Sequence, residues 1–159
     1  MAEPFVFDCD ARGGHFTKLQ TVAAGTDHIL QGNVAARQLY KEGEWLPTAL
    51  ISLTSADRKQ QVAIRILADI PDKDEQREGA IFFATRHVID GKGEDGETFA
   101  SIPVGTSVPF SVSATGNDGV IKIGDMEKRF AFAPGDKPVA MVACSTGEFV
   151  FTELEISAG

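Results

Sequence analysis

The stretch CSTGEFVFTELEIS, residues 144–157, decides how the fold is interpreted. Its Ser-Thr-Gly triplet (145–147) has the composition of a turn, and the residues after it alternate as they do in a β-strand. Leu154 and Ile156 share one side of that strand with Val150. Phe149 and Phe151 fall on its polar side, so we expect either a covering segment or a β-bulge that shifts the register.

The same alternation recurs along the chain. In Ser107–Thr115 every second residue is apolar, and Gln60–Asp69 repeats the pattern. Glycine-, proline- and asparagine-containing turns, the first of them at Gly13-Gly14, separate these segments. The pattern predicts twelve strands, at residues 5–9, 18–24, 29–39, 46–55, 60–69, 79–90, 97–103, 107–115, 119–123, 128–133, 138–144 and 148–157.

No segment predicts an amphipathic helix. Residues 33–42 have helical propensity, but the alternation across 29–39 favours a strand. Asp72–Glu78 is predicted to be a charged loop or one helical turn, and Val120–Phe132 a hairpin that turns near Asp125-Met126-Glu127. Many short strands without helices predict one all-β domain over residues 1–159, a single-domain two-sheet antiparallel jelly-roll sandwich.

Composition limits the partners. The 159 residues are 43% hydrophobic, which is enough for one sizeable core. The net charge of −8 argues against nucleic acid and anionic membrane as partners, because both require clustered Lys and Arg. No run of apolar residues is long enough to span a bilayer.

The two cysteines, Cys9 and Cys144, allow two interpretations. They are either two small buried hydrophobic residues or a disulfide between early and late strands, which would support export. No histidine stands at zinc-ligand spacing from them. The sequence shows no signal peptide, so the chain is either cytoplasmic or begins at a mature N-terminus after an added Met. We expect a secreted or periplasmic protein and keep the cytoplasm as the alternative.

Three segments carry a resemblance to a known superfamily. They are GEWLPTALISL (43–53) with the following QQVAIRILAD (60–69), VPFSVSATGNDGVIKIGD (108–125) and KPVAMVACSTGEFVFTELEIS (137–157). Their order resembles the concanavalin A-like lectin/glucanase superfamily, the laminin-G-like jelly rolls. That resemblance implies a sugar-binding module or a polysaccharide-cleaving enzyme.

The sequence departs from the enzymes of that superfamily. The glucanase pattern Glu-x-Asp-x-x-Glu lies on none of the predicted strands. The Arg-rich and Gln-x-His strands of alginate-lyase-type enzymes are also missing, and their closest counterparts, Arg65 and His87, stand alone. The departures favour a binding module over an enzyme without deciding the question.

A polar sheet face is the predicted binding site. If strands 29–39, 60–69 and 79–90 are neighbours, one face carries Gln31, Asn33, Arg37, Arg65, Asp69, Arg86 and Asp90. Arg65, Arg86 and Asp90 would hydrogen-bond sugar hydroxyls, and Trp45 or Tyr40 would stack on the ring. The predicted ligand-binding residues are Tyr40, Trp45, Arg37, Arg65, Arg86, His87 and Asp90. Alternatively, these polar residues only face solvent, and Trp45 packs in the core or covers a sheet edge.

The acidic loop DGKGEDGETF (90–99) suggests a hard cation. Asp90, Glu94, Asp95 and Glu97 are oxygen donors on a glycine-rich segment, which suits calcium, although their spacing does not match an EF-hand. No other cofactor is predicted.

Three functional hypotheses follow. The first is a lectin-like carbohydrate-binding module that recognises a poly- or oligosaccharide. The second is a glycoside hydrolase or polysaccharide lyase with a non-standard site around Arg65, His87 and Asp90, where His87 would be the general base. The third is a non-catalytic structural or protein-interaction domain. The exposed sheet edges of such a fold allow a monomer or a homodimer.

Overall fold

The computed structural model describes residues 3–22, 27–41, 44–71, 76 and 79–158. These residues form an antiparallel all-β structure. The strands are β1 (Phe5–Val22), β2 (His28–Leu39), β3 (Thr48–Thr54), β4 (Gln61–Asp69), β5 (Ala80–Ile89), β6 (Lys92–Asp95), β7 (Phe99–Pro103), β8 (Val108–Thr115), β9 (Asp118–Ile123), β10 (Met126–Ala131) and β11 (Val139–Ala158). No helix among the described residues is long and apolar enough to cross a membrane.

The pairing of β11 produces the two layers of a jelly-roll sandwich. One edge of β11 pairs with β1 from Val139 to Leu154. The other edge pairs with β3 over residues 139–145 and with β2 over residues 147–158. From β2 the first layer continues through β8, β9 and β10, and from β3 the second layer continues through β4 and β5 to β6 and β7. The predicted fold class is confirmed.

Two predicted turns are wrong. Gly13-Gly14 and Ser145–Gly147 do not end strands but lie inside β1 and β11, at the bend where this pair passes from one layer to the other. Gly14 (φ +77°) and Thr146 (φ +59°) have the left-handed backbone of a turn. The pairing of β1 with β11 continues on both sides of Gly14 and of Thr146, so each residue is part of an irregularity within its strand.

The core lies between the layers, where β3 and β4 pack against β8 and β9. Phe149 and Phe151 are fully buried there, and Phe110 meets the Phe151 ring edge-on at 6.1 Å. The bulge proposed for the closing strand is present, because the register of β11 against β2 shifts between Thr152 and Glu155. That shift lets Phe149, Phe151 and Leu154 all face the core.

A disulfide joins Cys9 to Cys144 in the core, with 6.1 Å between their Cα atoms. Cys9 precedes the bend of β1, and Cys144 precedes the bend of β11. Because the two strands are antiparallel, Cys9 belongs to the first layer and Cys144 to the second. The crosslink therefore spans the bend and fixes one layer to the other.

The remaining predictions differ in outcome. Residues 29–39 form a strand, as the alternation indicated. The predicted acidic loop contains a further strand, β6, and the β9–β10 hairpin turns at Gly124-Asp125, slightly earlier than predicted. Most of Asp72–Glu78 lies outside the described residues.

Candidate functional site

The topology divides the predicted polar face. Strands β4 and β5 are neighbours, but β11 and β3 separate β2 from both of them. Arg37 lies on the outer surface of the first layer, whereas Arg65 and Arg86 lie on the outer surface of the second. The single face that would have combined them does not form.

Cross-strand rows build the outer face of the second layer. One row runs through Lys18, Ala143, Leu50, Arg65 and Ala84, and the next through Gln20, Met141, Ser52, Ala63, Arg86 and Asp95. In the second row two small residues, Ser52 and Ala63, separate Met141 from Arg86. The hydroxyl of Ser52 is buried in this surface without a hydrogen-bond partner.

A carboxylate connects two arginines on this face. Arg65 Nη1 lies 2.9 Å from one oxygen of Asp95, and Arg86 Nη1 lies 3.0 Å from the other. Gly93 makes room for the second contact, because a Cβ there would lie 2.6 Å from Arg86 Nη2. All three side chains are about one-third exposed, so the guanidinium groups can still reach a ligand.

An apolar cavity lies further along the same face. It has a volume of about 400 Å³. Its lining comes from β1, β3 and β11: Phe16, Lys18, Thr48, Ala49, Leu50, Met141, Ala143 and Cys144. Lys18 supplies a cation to a wall that is otherwise mostly apolar, and the Ala143–Leu50–Arg65 row connects the cavity with the arginines.

One exposed aromatic side chain lines the cavity, and a second lies beside the bend of β1. Phe16 is 71% exposed and lines it directly. Trp45 is 56% exposed and lies against Gly14, two residues before Phe16. Leu46, also exposed, follows Trp45 in sequence. Large aromatic surfaces are usually buried, so this group is a candidate contact surface.

Tyr40 belongs to the outer surface of the first layer, where its polar and aromatic groups are both engaged. Its hydroxyl donates a 2.7 Å hydrogen bond to Asp10, which, together with burial, raises the pKa of Tyr40 to about 12. The Arg12 guanidinium lies 4.9 Å from the ring centre and covers one face of the ring. The predicted stacking platform is thus partly occupied by the chain itself.

Arg37 contacts two carboxylates beside Tyr40. Its Nη1 lies 3.4 Å from Glu148 and 3.6 Å from Asp8. A hydrogen bond with Asp8 and then burial raise the pKa of Glu148, while Arg37 opposes that shift. We call this group of Asp8, Asp10, Arg12, Arg37, Tyr40 and Glu148 the first-layer cluster. Its members bind mainly to one another.

His87 and Asp90 are not on the arginine face. His87 follows Arg86, so its side chain points to the opposite side of β5, between the layers. Its ring lies 4.8 Å from that of Phe130, and its Nε2 is 2.7 Å from the Ala131 carbonyl oxygen. Asp90 (φ +53°) is in the turn after β5. His87 and Asp90 line one pocket with Ile89, Lys92 and Glu94, and Arg65 is not among its lining residues. The structure therefore brings His87 and Asp90 together but keeps Arg65 apart from them.

The calcium hypothesis gains no support from the loop. Asp95 is held by two arginines, and within the described ranges no group of three His, Cys, Asp or Glu residues is arranged to hold a metal.

Several residues of the second-layer face were not predicted from the sequence. Phe16, Lys18 and Met141 reach it only through the pairing of β1 with β11, which lie far apart in the chain. Asp95 was assigned to a loop because glycines flank its segment. Strands were predicted at 18–24 and 138–144, but the sequence did not indicate that these two segments would be neighbours.

The fold was compared with known proteins. No protein-family model and no curated protein matches the sequence. Among solved structures, the chain is similar to alginate lyase A1-II′, a member of polysaccharide lyase family 7 (TM-score 0.60, 12% identity, 97% of this chain and 79% of that one). It is similar to the carbohydrate-binding module CBM66 from Bacillus subtilis (0.54, 11%, 98% and 97%).

A third similar structure is the marine family 7 alginate lyase AlyA1 from Zobellia galactanivorans (TM-score 0.55, 9% identity, 97% of this chain and 77% of that one). The TM-scores show a shared architecture. At identities this low, function has to be argued from the side chains of the site. The chain shares the jelly-roll fold of these proteins, which is the fold class that its sequence predicted.

Proposed function

We propose that this protein is a carbohydrate-binding module whose ligand lies across the outer face of the second layer. The observation that carries the proposal is the combination, on one face, of exposed Phe16, the cavity that it lines and the Arg65–Arg86 pair, with exposed Trp45 beside the bend of β1. The ligand would run from the aromatic residues, past Lys18, to the arginines.

The chemistry of this face suits a saccharide. Sugar rings have apolar C–H surfaces that pack on aromatic rings, and their hydroxyls accept hydrogen bonds from fixed cationic donors. The aromatic end of the face offers the first kind of contact and the arginine end the second. The structural similarity to a carbohydrate-binding module and to polysaccharide lyases supports the same class of ligand.

Binding without catalysis is favoured over an enzyme by the position of the titratable groups. The residues with raised pKa values, Tyr40 and Glu148, are in the first-layer cluster. His87 points between the layers. A general base would have to lie within hydrogen-bond reach of the proton that it removes, and these groups are on other surfaces.

The disulfide supports export as part of this proposal. A crosslink between Cys9 and Cys144 persists in oxidising compartments, such as the periplasm or the extracellular space. We therefore place the protein where it would meet polysaccharides outside the cytoplasm.

The test is affinity electrophoresis against neutral and acidic polysaccharides, followed by calorimetry on any that retard the protein. The double variant Phe16→Ala/Trp45→Ala should abolish retardation. Arg86→Ala should weaken binding about tenfold or more, because hydrogen bonds to charged groups contribute roughly 1.5–3 kcal/mol.

Arg37→Ala is the matched control, since it removes an arginine from the outer surface of the other layer. It should leave binding unchanged. Absence of retardation by every polysaccharide would count against the proposal, and equal loss in Arg37→Ala and Arg86→Ala would show that the ligand does not lie on the second-layer face.

A further inference from the structure

The cavity in the second-layer face is more apolar than an unsubstituted saccharide requires. Six of its eight lining residues have no hydroxyl, amide or charged group: Phe16, Ala49, Leu50, Met141, Ala143 and Cys144. Sugar hydroxyls placed against such a wall lose water without gaining a hydrogen bond, which costs free energy. A saccharide that enters this cavity is therefore expected to carry an apolar substituent.

The two polar residues of the lining differ in what they offer to that substituent. Thr48 donates its hydroxyl to the Ile66 carbonyl oxygen at 2.9 Å. Lys18 is exposed and forms no ion pair with the described residues of the chain. An ammonium group donates hydrogen bonds and accepts none. The substituent should therefore combine an apolar part with a hydrogen-bond acceptor.

The floor of the cavity lies between two cations. Lys18, Ala143, Leu50 and Arg65 follow one another in one cross-strand row. Neighbouring strands are about 4.8 Å apart, so the Cα atoms of the two cationic residues are roughly 14 Å apart along this row. Ala143 and Leu50 both line the cavity. A group that projects from the ligand between the cations thus meets apolar side chains.

We propose that the cavity receives an O-acetyl group of the bound polysaccharide, an inference that rests on the proposed function. The acetyl methyl group would pack on Ala143, Leu50 and Met141, and the ester carbonyl oxygen would accept a hydrogen bond from Lys18. The unbranched side chain of Met141 can adjust to the substituent. The sugar hydroxyls would stay outside the cavity, toward Arg65.

Other substituents of saccharides match this wall less well. A carboxylate in the cavity would exchange its hydration for one cation among apolar side chains, which is unfavourable. An N-acetyl amide adds an N–H donor, whereas the exposed polar group of the wall, Lys18, is itself a donor. An acetyl ester has acceptors only, together with a methyl group, and so matches both features of the lining.

The test compares acetylated and deacetylated forms of the same polysaccharide. Glucuronoxylan and glucomannan are used with their acetyl esters and again after mild alkali has removed them. Any other polysaccharide that retards the protein is acetylated chemically to give the matched pair. By calorimetry, the wild type should bind the acetylated form about tenfold or more tightly, because a methyl group is buried and a charge-assisted hydrogen bond is gained.

Two variants test the cavity itself. Ala143→Leu places a larger side chain in it, and Lys18→Met removes the donor but keeps an unbranched side chain. Each should bring the ratio of the two dissociation constants close to one. Ala35→Leu is the matched control, because Ala35 lies on the outer surface of the first layer, opposite Val150, and this variant should keep the wild-type ratio. Circular dichroism checks folding, and Lys18→Met alone decides the test if Ala143→Leu does not fold.

The outcomes separate this inference from the proposed function. A polysaccharide that binds equally well in both forms overturns the acetyl inference and leaves the carbohydrate-binding module standing. A preference that persists in Lys18→Met and Ala143→Leu also overturns the inference, as does a preference for N-acetylglucosamine oligomers over glucosamine oligomers without any preference for acetyl esters. Absence of retardation by every polysaccharide, acetylated or not, overturns both proposals.

Discussion

The two outer surfaces of the sandwich hold their arginines in similar ways but differ in what lies beside them. In the first-layer cluster, Arg37 contacts two carboxylates and Tyr40 donates to a third. On the second-layer face, Arg65 and Arg86 share one carboxylate, and beside them lies an apolar cavity lined by exposed Phe16. Arg37 is 58% exposed and Arg65 and Arg86 are each 35% exposed, so the exposure of an arginine does not by itself single out the second-layer face. The apolar cavity beside the paired charges does.

The largest expected effect on stability comes from removing the disulfide that joins the two layers. Cys9→Ala/Cys144→Ala should lower the free energy of unfolding by about 2–5 kcal/mol, because the disulfide restricts the unfolded chain and fixes the layers across the bend. Urea unfolding followed by tryptophan fluorescence measures the loss. Adding reductant should destabilise the wild type and leave the variant unchanged. A variant as stable as the oxidised wild type would show that the layers hold together without the crosslink.

The next test concerns Glu148, whose pKa is raised above its ordinary value of 4.5. A raised folded-state pKa means that the stabilisation is fully present below about pH 4.5 and is lost as the pH rises through the folded value. Glu148→Gln should remove this part of the pH dependence, which thermal melts across this range would detect. Glu155→Gln, on the same strand and hydrogen-bonded to Gln31, is the control and should retain it. Identical profiles for wild type and Glu148→Gln would show that the cluster is not coupled as described.

A smaller and more local effect is expected at Tyr40. It is the only tyrosine in the chain, so an ultraviolet absorbance titration reports on it alone. The wild type should ionise near pH 12, and Asp10→Asn should move the transition toward the ordinary value of 10.0, because the carboxylate acceptor is lost. The stabilisation from this bond is present below pH 10 and lost as the pH rises through about 12. An unchanged midpoint in Asp10→Asn would separate Tyr40 from the cluster.

The smallest effect on stability is expected from Gly93→Ala on the open surface. The added Cβ would displace the tip of Arg86, a flexible group, so the free energy of unfolding should change by no more than about 0.5 kcal/mol. Binding to any retained polysaccharide should nevertheless weaken, as in Arg86→Ala. The matched control is Gly91→Ala, where the added Cβ contacts nothing, although its positive φ makes this variant somewhat strained. If Gly93→Ala binds normally, the position of Arg86 is not part of the site.

The sequence predicted those features that depend on neighbouring residues and missed those that depend on residues distant in the chain. Alternation in residues 107–115 and 60–69 predicted β8 and β4, because each pattern is local. The turns predicted at Gly14 and Thr146 were wrong because a left-handed backbone occurs both in turns and in bulges, and the same residue types favour it in each. Only pairing with a strand from the other end of the chain distinguishes the two.

The candidate site was predictable in the same partial way. Neighbouring alternating strands correctly placed Arg65 and Arg86 on one face, since β4 and β5 are consecutive. Arg37 was misplaced because two strands from elsewhere in the chain separate β2 from β4. Phe16 was missed for the same reason, since its position depends on β11.

The position of β11 also determines the order in which the protein can be made. All the other strands precede it in the chain, yet both layers are completed on it. During synthesis, β1 must wait for a partner that follows more than a hundred residues later, as the separation of 135 residues between the crosslinked cysteines shows. Such distant pairings fold slowly, because the chain entropy is lost before the contacts are gained. The nascent chain therefore carries the strands of both layers unjoined until β11 emerges, and the two layers are completed together.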